Sequence, residues 1–403
     1  MRIAWVSPLP PTPSGIADYS YELLPFLSEL AAVTVFAPQT GTEPPAAPDG
    51  VTVLPPGGLS DQASSFDAIF HHLGNNPWHE FAYRLALEVP GIAVLHEVVL
   101  HHMLDWVFFG AGRLDADGYR AVLRSEYGEA GDRMAALRLK GAFTYLDFFL
   151  FPLSGHVARR SRGVIVHGHG VAQQVRESTS TVPVWTIPHH AAPTELPGVD
   201  RDEARRRVGL PATAFLVGHF GFLTRPKQPA VLLDGFRRLV DERPDALLLM
   251  VGENQVELGF PGLVQRHGVE RNVRSVGFVD LPTFSLYLKA VDVVVNLRYP
   301  TAGEASGTLA RALAEGRATI VSNIGSLAEL PDDVTMKVEV DGDQAGQLGE
   351  HLRTLATDVS LKQGLEERAR QYASTELDRR RCAQLYADVA RAVCAGTLNP
   401  SAA

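Results

Sequence analysis

Short runs of β-branched and aliphatic residues, each followed by a longer stretch with helical periodicity, recur along most of this chain. Parallel strands need a crossover of about a dozen residues or more, usually a helix, so this alternation predicts parallel sheets covered by helices. Strands are expected at Ile3 to Ser7, Val33 to Ala37, Ala68 to His71, Ile92 to His96, Val164 to His167 and Val184 to Ile187. Helices are expected at Ile16 to Leu30, Trp78 to Glu88, Asp117 to Lys140 and Ser154 to Arg162. A polar segment over 190–207, with Pro193, Pro197 and Gly198, then interrupts the pattern. The alternation restarts with near-continuous apolar runs at Phe215 to Phe220, Ala246 to Val251, Val273 to Gly277, Val291 to Leu297 and Ala318 to Ser322, as strands buried on both faces require. From about Asp343 only helical patterns remain, ending in an Asn399-Pro400-Ser401 tail.

The 403 residues therefore divide into two α/β halves, expected at 1–190 and 191–375, with a terminal helical segment at 376–403. The net charge of −9 opposes any general attraction to nucleic acid. Two cysteines, Cys382 and Cys394, form neither a disulfide framework nor a zinc motif, so a reducing cytoplasm is the expected compartment. No apolar run reaches the ~20 residues of a membrane span.

Chemistry is expected where strands end and helices begin, because ligands of open α/β sheets bind at the carboxyl ends of strands. The loop from Ser7 to Ile16 leaves the first strand, and Gly15 at its helix start suits a close approach by an anion; a Pro-stiffened turn explains it equally well. His96 ends another strand, followed by His101 and His102, and His71, His72, Asn75 and Asn76 end a third, so side chains able to hydrogen-bond sugar hydroxyls collect along one edge. Fourteen histidines without an HExxH or Cys/His cluster argue against metal, and most are expected to be surface or satisfied interior residues.

In the second half, Gly218 to Lys227 places Arg225 and Lys227 where cations could clamp a leaving diphosphate, or form a solvated pair at a helix start. The run from Asn296 to Thr308 ends in small residues at a helix N-terminus, with Ser306, Gly307 and Thr308 as an anion cradle and Glu304 as a sugar contact; a capped helix start is the plainer reading. Asp115-Ala116-Asp117 and Asp341-Gly342-Asp343 read as turns and helix caps rather than cation sites, Gly168-His169-Gly170 lacks the third glycine of a dinucleotide fingerprint, and no GxSxG elbow occurs. Phe143 to Phe151, aromatic and followed by Arg159, Arg160 and Arg162, reads as a core helix or as a surface for lipid or a lipid-linked acceptor.

Taken in order, Pro10-Pro11-x-x-Ser14-Gly15-Ile16, Leu95-His96-Glu97, Val166 to Val171, Ile187-Pro188-His189, Phe220 to Lys227, Gly303 to Gly316 and Val321 to Pro331 resemble the retaining family 4 glycosyltransferases, glycosyl transferases group 1. The resemblance spans nearly the whole chain. It implies a GT-B fold, two Rossmann-like domains facing across a cleft, with the acceptor held mainly by the N-terminal domain, a nucleotide-sugar donor by the C-terminal one, and a last helix from about Asp378 to Cys394 crossing back. Lys227 then holds the diphosphate and His96 lies beside the donor sugar. Transfer to an acceptor hydroxyl keeps anomeric configuration by same-face attack, with no cofactor or metal. It also implies work in the cytoplasm, with contact to the inner membrane face as a further expectation. The chain departs from the pattern at three positions: Phe222 replaces an arginine, and Gly303 and Arg311 stand where paired glutamates are expected. Glu304, one residue late, is the candidate for the sugar contact, and Arg311 for a phosphate or acceptor contact. These departures leave a non-catalytic GT-B binding protein as the alternative, with a sugar-nucleotide epimerase behind it.

Overall fold

The computed structural model describes residues 1–179, 181–194 and 196–396, so the Asn399-Pro400-Ser401 tail lies outside the described residues. The chain forms two compact units. Unit 1 is Met1–His190 with Ala302–Ala305 and the chain from Arg379; unit 2 is Ala191–Thr301 with Ser306–Asp378.

Unit 1 is built on seven parallel strands, β1 (Arg2–Val6), β2 (Ala32–Phe36), β3 (Thr52–Leu54), β4 (Ala68–Leu73), β5 (Ile92–Leu95), β6 (Gly163–Val166) and β7 (Val184–Thr186), in the order β3-β2-β1-β4-β5-β6-β7. Its helices are α1 (Gly15–Ser28), α2 (Leu59–Gln62), α3 (Glu80–Glu88), α4 (His101–Phe109), α5 (Ala116–Leu139), α6 (Asp147–Leu150), α7 (Gly155–Ala158) and α8 (His169–Thr179). Both sheet faces are buried, which is why β5 and β1 after Arg2 read as unbroken apolar runs rather than alternating ones, and why His71 and His72 of β4 are buried as well. Two expected helices differ in detail. Gly128, at φ 57° and ψ −131°, breaks α5 in the middle. The helix expected from Ser154 shrinks to α7, whose first N–H groups, those of Gly155 and His156, donate to the Glu126 carboxylate. Asp115 caps α5 by accepting the Gly118 N–H at 2.8 Å, which accounts for the acidic pair beside it.

Unit 2 carries six parallel strands, β8 (Leu216–Phe220), β9 (Leu247–Val251), β10 (Val273–Gly277), β11 (Val293–Asn296), β12 (Ala318–Ser322) and β13 (Met336–Val338), in the order β10-β9-β8-β11-β12-β13. Around them lie α9 (Arg201–Arg207), α10 (Pro229–Glu242), α11 (Phe260–His267), α12 (Leu281–Ala290), α13 (Gly307–Ala314), α14 (Gly325–Ala328), α15 (Gln344–Thr357) and α16 (Val359–Glu376). Asp343 caps α15 through the Gly346 N–H. A buried carboxylate, Asp292, gathers Arg205 at 2.8 Å and Lys362 at 3.1 Å and accepts the Leu216 N–H, tying α9 and α16 to the sheet.

The last helix, α17 (Arg379–Cys394), belongs to unit 1. It contributes Cys382, Ala383, Tyr386, Ala387, Val389 and Ala390 to the same apolar core as Trp5, Leu23 and Phe70, with the Tyr386 and Tyr19 hydroxyls 3.0 Å apart. Each sheet reverses direction of winding once, between β1 and β4 in unit 1 and between β8 and β11 in unit 2. The loops leaving those strands diverge to opposite faces and open a crevice, so each unit has one topologically favoured place for a ligand.

Candidate functional site

At the unit 1 switch point, the strand-end histidines of β4, β5 and β6 join into a chain. His72 Nδ1 lies 2.9 Å from His96 Nε2, His96 Nδ1 lies 3.0 Å from His167 Nε2, and His167 Nδ1 lies 2.7 Å from the Ile187 carbonyl oxygen. A carbonyl only accepts, so His167 carries its proton on Nδ1. With neutral rings the remaining protons follow: His96 donates from Nδ1 to His167, and His72 donates from Nδ1 to His96. Burial, then mutual repulsion among the rings, holds His72 and His96 well below the usual histidine range, and burial pushes His167 down to about 3. The relay was not legible as such in the sequence, where its members are far apart.

A second directed chain supports the first loop. His79 Nδ1 donates to the His72 carbonyl at 3.1 Å, so its Nε2 accepts from Ser14 Oγ at 3.2 Å. Ser14 in turn caps α1, accepting the Ile16 N–H on its side chain and the Ala17 N–H on its carbonyl. The cap thus uses the N–H groups of Ile16 and Ala17, while Gly15 has open space where a Cβ would stand.

The other histidines named from the sequence separate cleanly. His71 and His101 are interior residues rather than ligand contacts: His71 Nε2 meets the Val89 carbonyl at 2.9 Å and His101 Nε2 meets Tyr119 Oη at 2.7 Å, and neither side chain is exposed. Asn75 spends its amide on His102 Nδ1 at 2.8 Å and the Met103 N–H at 3.1 Å.

The segment Ala302–Ala305 packs with unit 1. The Val98 N–H donates to the Ala302 carbonyl at 2.8 Å, and Glu304 Oε2 accepts the Ala302 N–H at 2.7 Å, which folds the carboxylate back over its own loop. Gly303 has φ +74°, and a Cβ there would lie 2.7 Å from Val98 Cγ2. In this backbone a glutamate at position 303 would meet both the left-handed strain and the Val98 side chain. Gly303→Ala is expected to destabilise unit 1 by about 2 kcal/mol from left-handed strain and overpacking together; an unchanged midpoint in urea denaturation followed by tryptophan fluorescence would rule this out.

At the unit 2 switch point, Lys227 is buried and donates from Nζ to the Phe220 carbonyl at 3.3 Å. Gly221, at φ +84°, bridges Lys227 and Thr308: a Cβ there would stand 3.1 Å from both Lys227 Nζ and Thr308 Cγ2. Asn296 Nδ2 donates to Ser306 Oγ at 3.1 Å and Thr308 Oγ1 at 3.2 Å, and Ser306 caps α13 through the Leu309 N–H. Lys227, Asn296, Ser306 and Thr308 therefore form one polar group at the carboxyl ends of β8 and β11, with Gly307 beginning α13. Asn296 Oδ1 and His219 Nε2 are buried without a partner among the described residues. His219, passed over in the sequence, is held neutral by burial and by Lys227 and Arg298 nearby. Arg225 is exposed, as is Phe222 at the position expected to be arginine, and Arg311 is half-buried on α13. Among the described residues no group of His, Cys, Asp or Glu side chains is arranged to hold a metal ion, and no helix is long and apolar enough to cross a membrane.

Comparison with known proteins adds a family to this geometry. Residues 214–358 match the family described as Glycosyl transferases group 1. A D-inositol 3-phosphate glycosyltransferase from Corynebacterium urealyticum is 29% identical over 188 residues, 44% of this chain and 44% of that protein, so the match spans less than half of the curated relative. Among solved structures, sucrose-phosphate synthase from Thermosynechococcus elongatus superposes with a TM-score of 0.70 at 17% identity, covering 98% of this chain and 100% of that one. Anabaena HepE, solved with UDP, gives 0.66 at 15% identity over 97% and 100%. At these identities the likeness shows the fold. Residues 214–358 are thus similar to the Glycosyl transferases group 1 family, and the chain that carries them has the GT-B fold.

Proposed function

We propose that this protein is a glycosyltransferase that takes a sugar from a nucleoside-diphosphate sugar and passes it to an acceptor hydroxyl with retention of anomeric configuration, without metal. The observation that carries the reading is Lys227, a buried ammonium at the β8/β11 switch point beside Asn296, Ser306 and Thr308. When the bond between the anomeric carbon and the phosphate oxygen breaks, the electron pair stays with the diphosphate; a preorganised cation there stabilises the charge as it grows. The acceptor hydroxyl forms the new bond on the same face, and its proton passes to the departing phosphate oxygen. No nucleophile from the protein is needed. The names of the Corynebacterium relative and of the UDP-bound Anabaena structure point to the same class of donor and to a polyol as one class of acceptor. Reaction in the reducing cytoplasm suits Cys382 and Cys394, which form no disulfide.

The test is calorimetric titration with UDP, GDP, dTDP and ADP in the presence of EDTA. One nucleotide is expected to bind, with affinity lost in Lys227→Met; failure of all four to bind removes the nucleotide-sugar reading. Exposed Phe222, in place of the expected arginine, favours the second reading, a binding protein without turnover, which predicts binding of a nucleotide-sugar with no release of the nucleoside diphosphate in the presence of polyol acceptors.

A further inference from the structure

Unit 1 holds an imidazole that neither the relay nor the proposed chemistry uses. His102 lies half-buried in the first turn of α4, where Asn75 Nδ2 reaches its Nδ1 at 2.8 Å. The main chain settles the direction of that bond: Asn75 Oδ1 accepts the Met103 N–H at 3.1 Å, so the amide nitrogen faces the ring and donates. A ring nitrogen that accepts carries no proton, and burial keeps the ring neutral by pushing its pKa down to about 4. The one ring proton is therefore on Nε2, which has no partner among the described residues. Aromatic rings surround it. Phe148 stacks on His102 at 4.0 Å and 19°, Tyr145 lies 5.6 Å away, and Phe149 stands edge-on at 5.8 Å. Tyr145, Phe148 and Phe149 are only half-buried. A neutral N–H donor of fixed direction, rimmed by partly open aromatic faces, matches a saturated ring that presents hydroxyls at its edge and C–H groups on its face.

We propose that His102 is an acceptor-binding residue, donating from Nε2 to a hydroxyl of a sugar or cyclitol ring packed against Tyr145 and Phe149, with Asn75 as the positioning residue that fixes the tautomer. The identification of this ligand as the acceptor rests on the glycosyltransferase reading; the polyol subsite does not. His102, rather than its neighbour His101, takes the role because His101 is fully buried with its Nε2 on Tyr119 Oη, whereas one step along α4 turns His102 to the Asn75 side and leaves it half-buried.

The test is long-range proton–nitrogen NMR of the full-length protein with its histidines labelled, titrated with D-inositol 3-phosphate and with methyl α-D-glucopyranoside, and with UDP in a separate titration. The wild-type spectrum is expected to show His102 protonated at Nε2, with that resonance moved by at least one polyol. His102→Phe, which keeps the stacking, is expected to weaken polyol binding at least tenfold with UDP affinity within twofold; His102→Gln, which restores a donor, is expected to recover part of the loss. Asn75→Leu is expected to release a population protonated at Nδ1. A wild-type His102 protonated at Nδ1, or one that neither polyol moves at 100 mM, overturns the proposal without recourse to any variant. Polyol binding together with failure of UDP, GDP, dTDP and ADP to bind keeps the subsite and sinks the nucleotide-sugar reading instead.

Discussion

Lys227→Met is expected to lower glycosyl transfer about 1,000-fold with the fold intact, because loss of a preorganised group aimed at developing charge costs about two to three orders of magnitude in rate. Lys227 is 7% exposed, and burying an ammonium costs folding energy that its partners must offset. The Phe220 carbonyl at 3.3 Å is one of those partners. The proposed role gives the charge a use beside the polar group of Asn296, Ser306 and Thr308, namely stabilising the leaving diphosphate. The check is kcat with the donor found by calorimetry, alongside a thermal melt. Activity within tenfold of wild type would separate Lys227 from the leaving group; a large drop in melting temperature would make it a structural residue.

Acid is expected to unfold unit 1 steeply. His71 and His79 are pushed to about 4 and His167 to about 3, each by burial, against about 6.5 in an unfolded chain. A lowered folded-state pKa means that below pH 6.5 the unfolded chain binds protons the native one refuses. Stability is therefore complete above about pH 7 and falls as pH drops toward the folded-state values. Three such rings predict a slope of about 3 to 4 kcal/mol per pH unit between pH 5.5 and 4.5. All four tryptophans, Trp5, Trp78, Trp106 and Trp185, lie in unit 1, so their fluorescence in urea titrations at successive pH values follows that unit alone. A slope under about 1 kcal/mol per pH unit would mean that these rings are protonated in the folded state and that the tautomer order of the relay is wrong.

The long elements and the two-unit α/β plan were legible in the sequence because apolar runs buried on both faces leave a strong signal. Thr52–Leu54 and Met336–Val338 were not, being three-residue edge strands at the limit of what local pattern resolves, although Val184–Thr186, equally short and at an edge, was read. At the site, the residue types at strand ends were readable and their partners were not. His72, His96 and His167 meet only because β4, β5 and β6 are neighbours in the sheet, and strand order is a property of the fold rather than of local spacing. The choice between His101 and His102 fails for a related reason: α4 is apolar over most of its length, so its pattern does not say which side faces inward.

The return of α17 to unit 1 bears on how the protein is made. Unit 2 is encoded wholly between the two main stretches of unit 1, and its last residue, Asp378, leaves the ribosome before α17 does. Until that helix emerges, the face of the first sheet formed by Trp5, Leu23 and Phe70 lacks Cys382, Tyr386 and Val389 and stays open to solvent. The half synthesised first is thus the half completed last, and a polypeptide released a few turns short would carry a finished second unit beside a first one exposing apolar surface to chaperones and proteases.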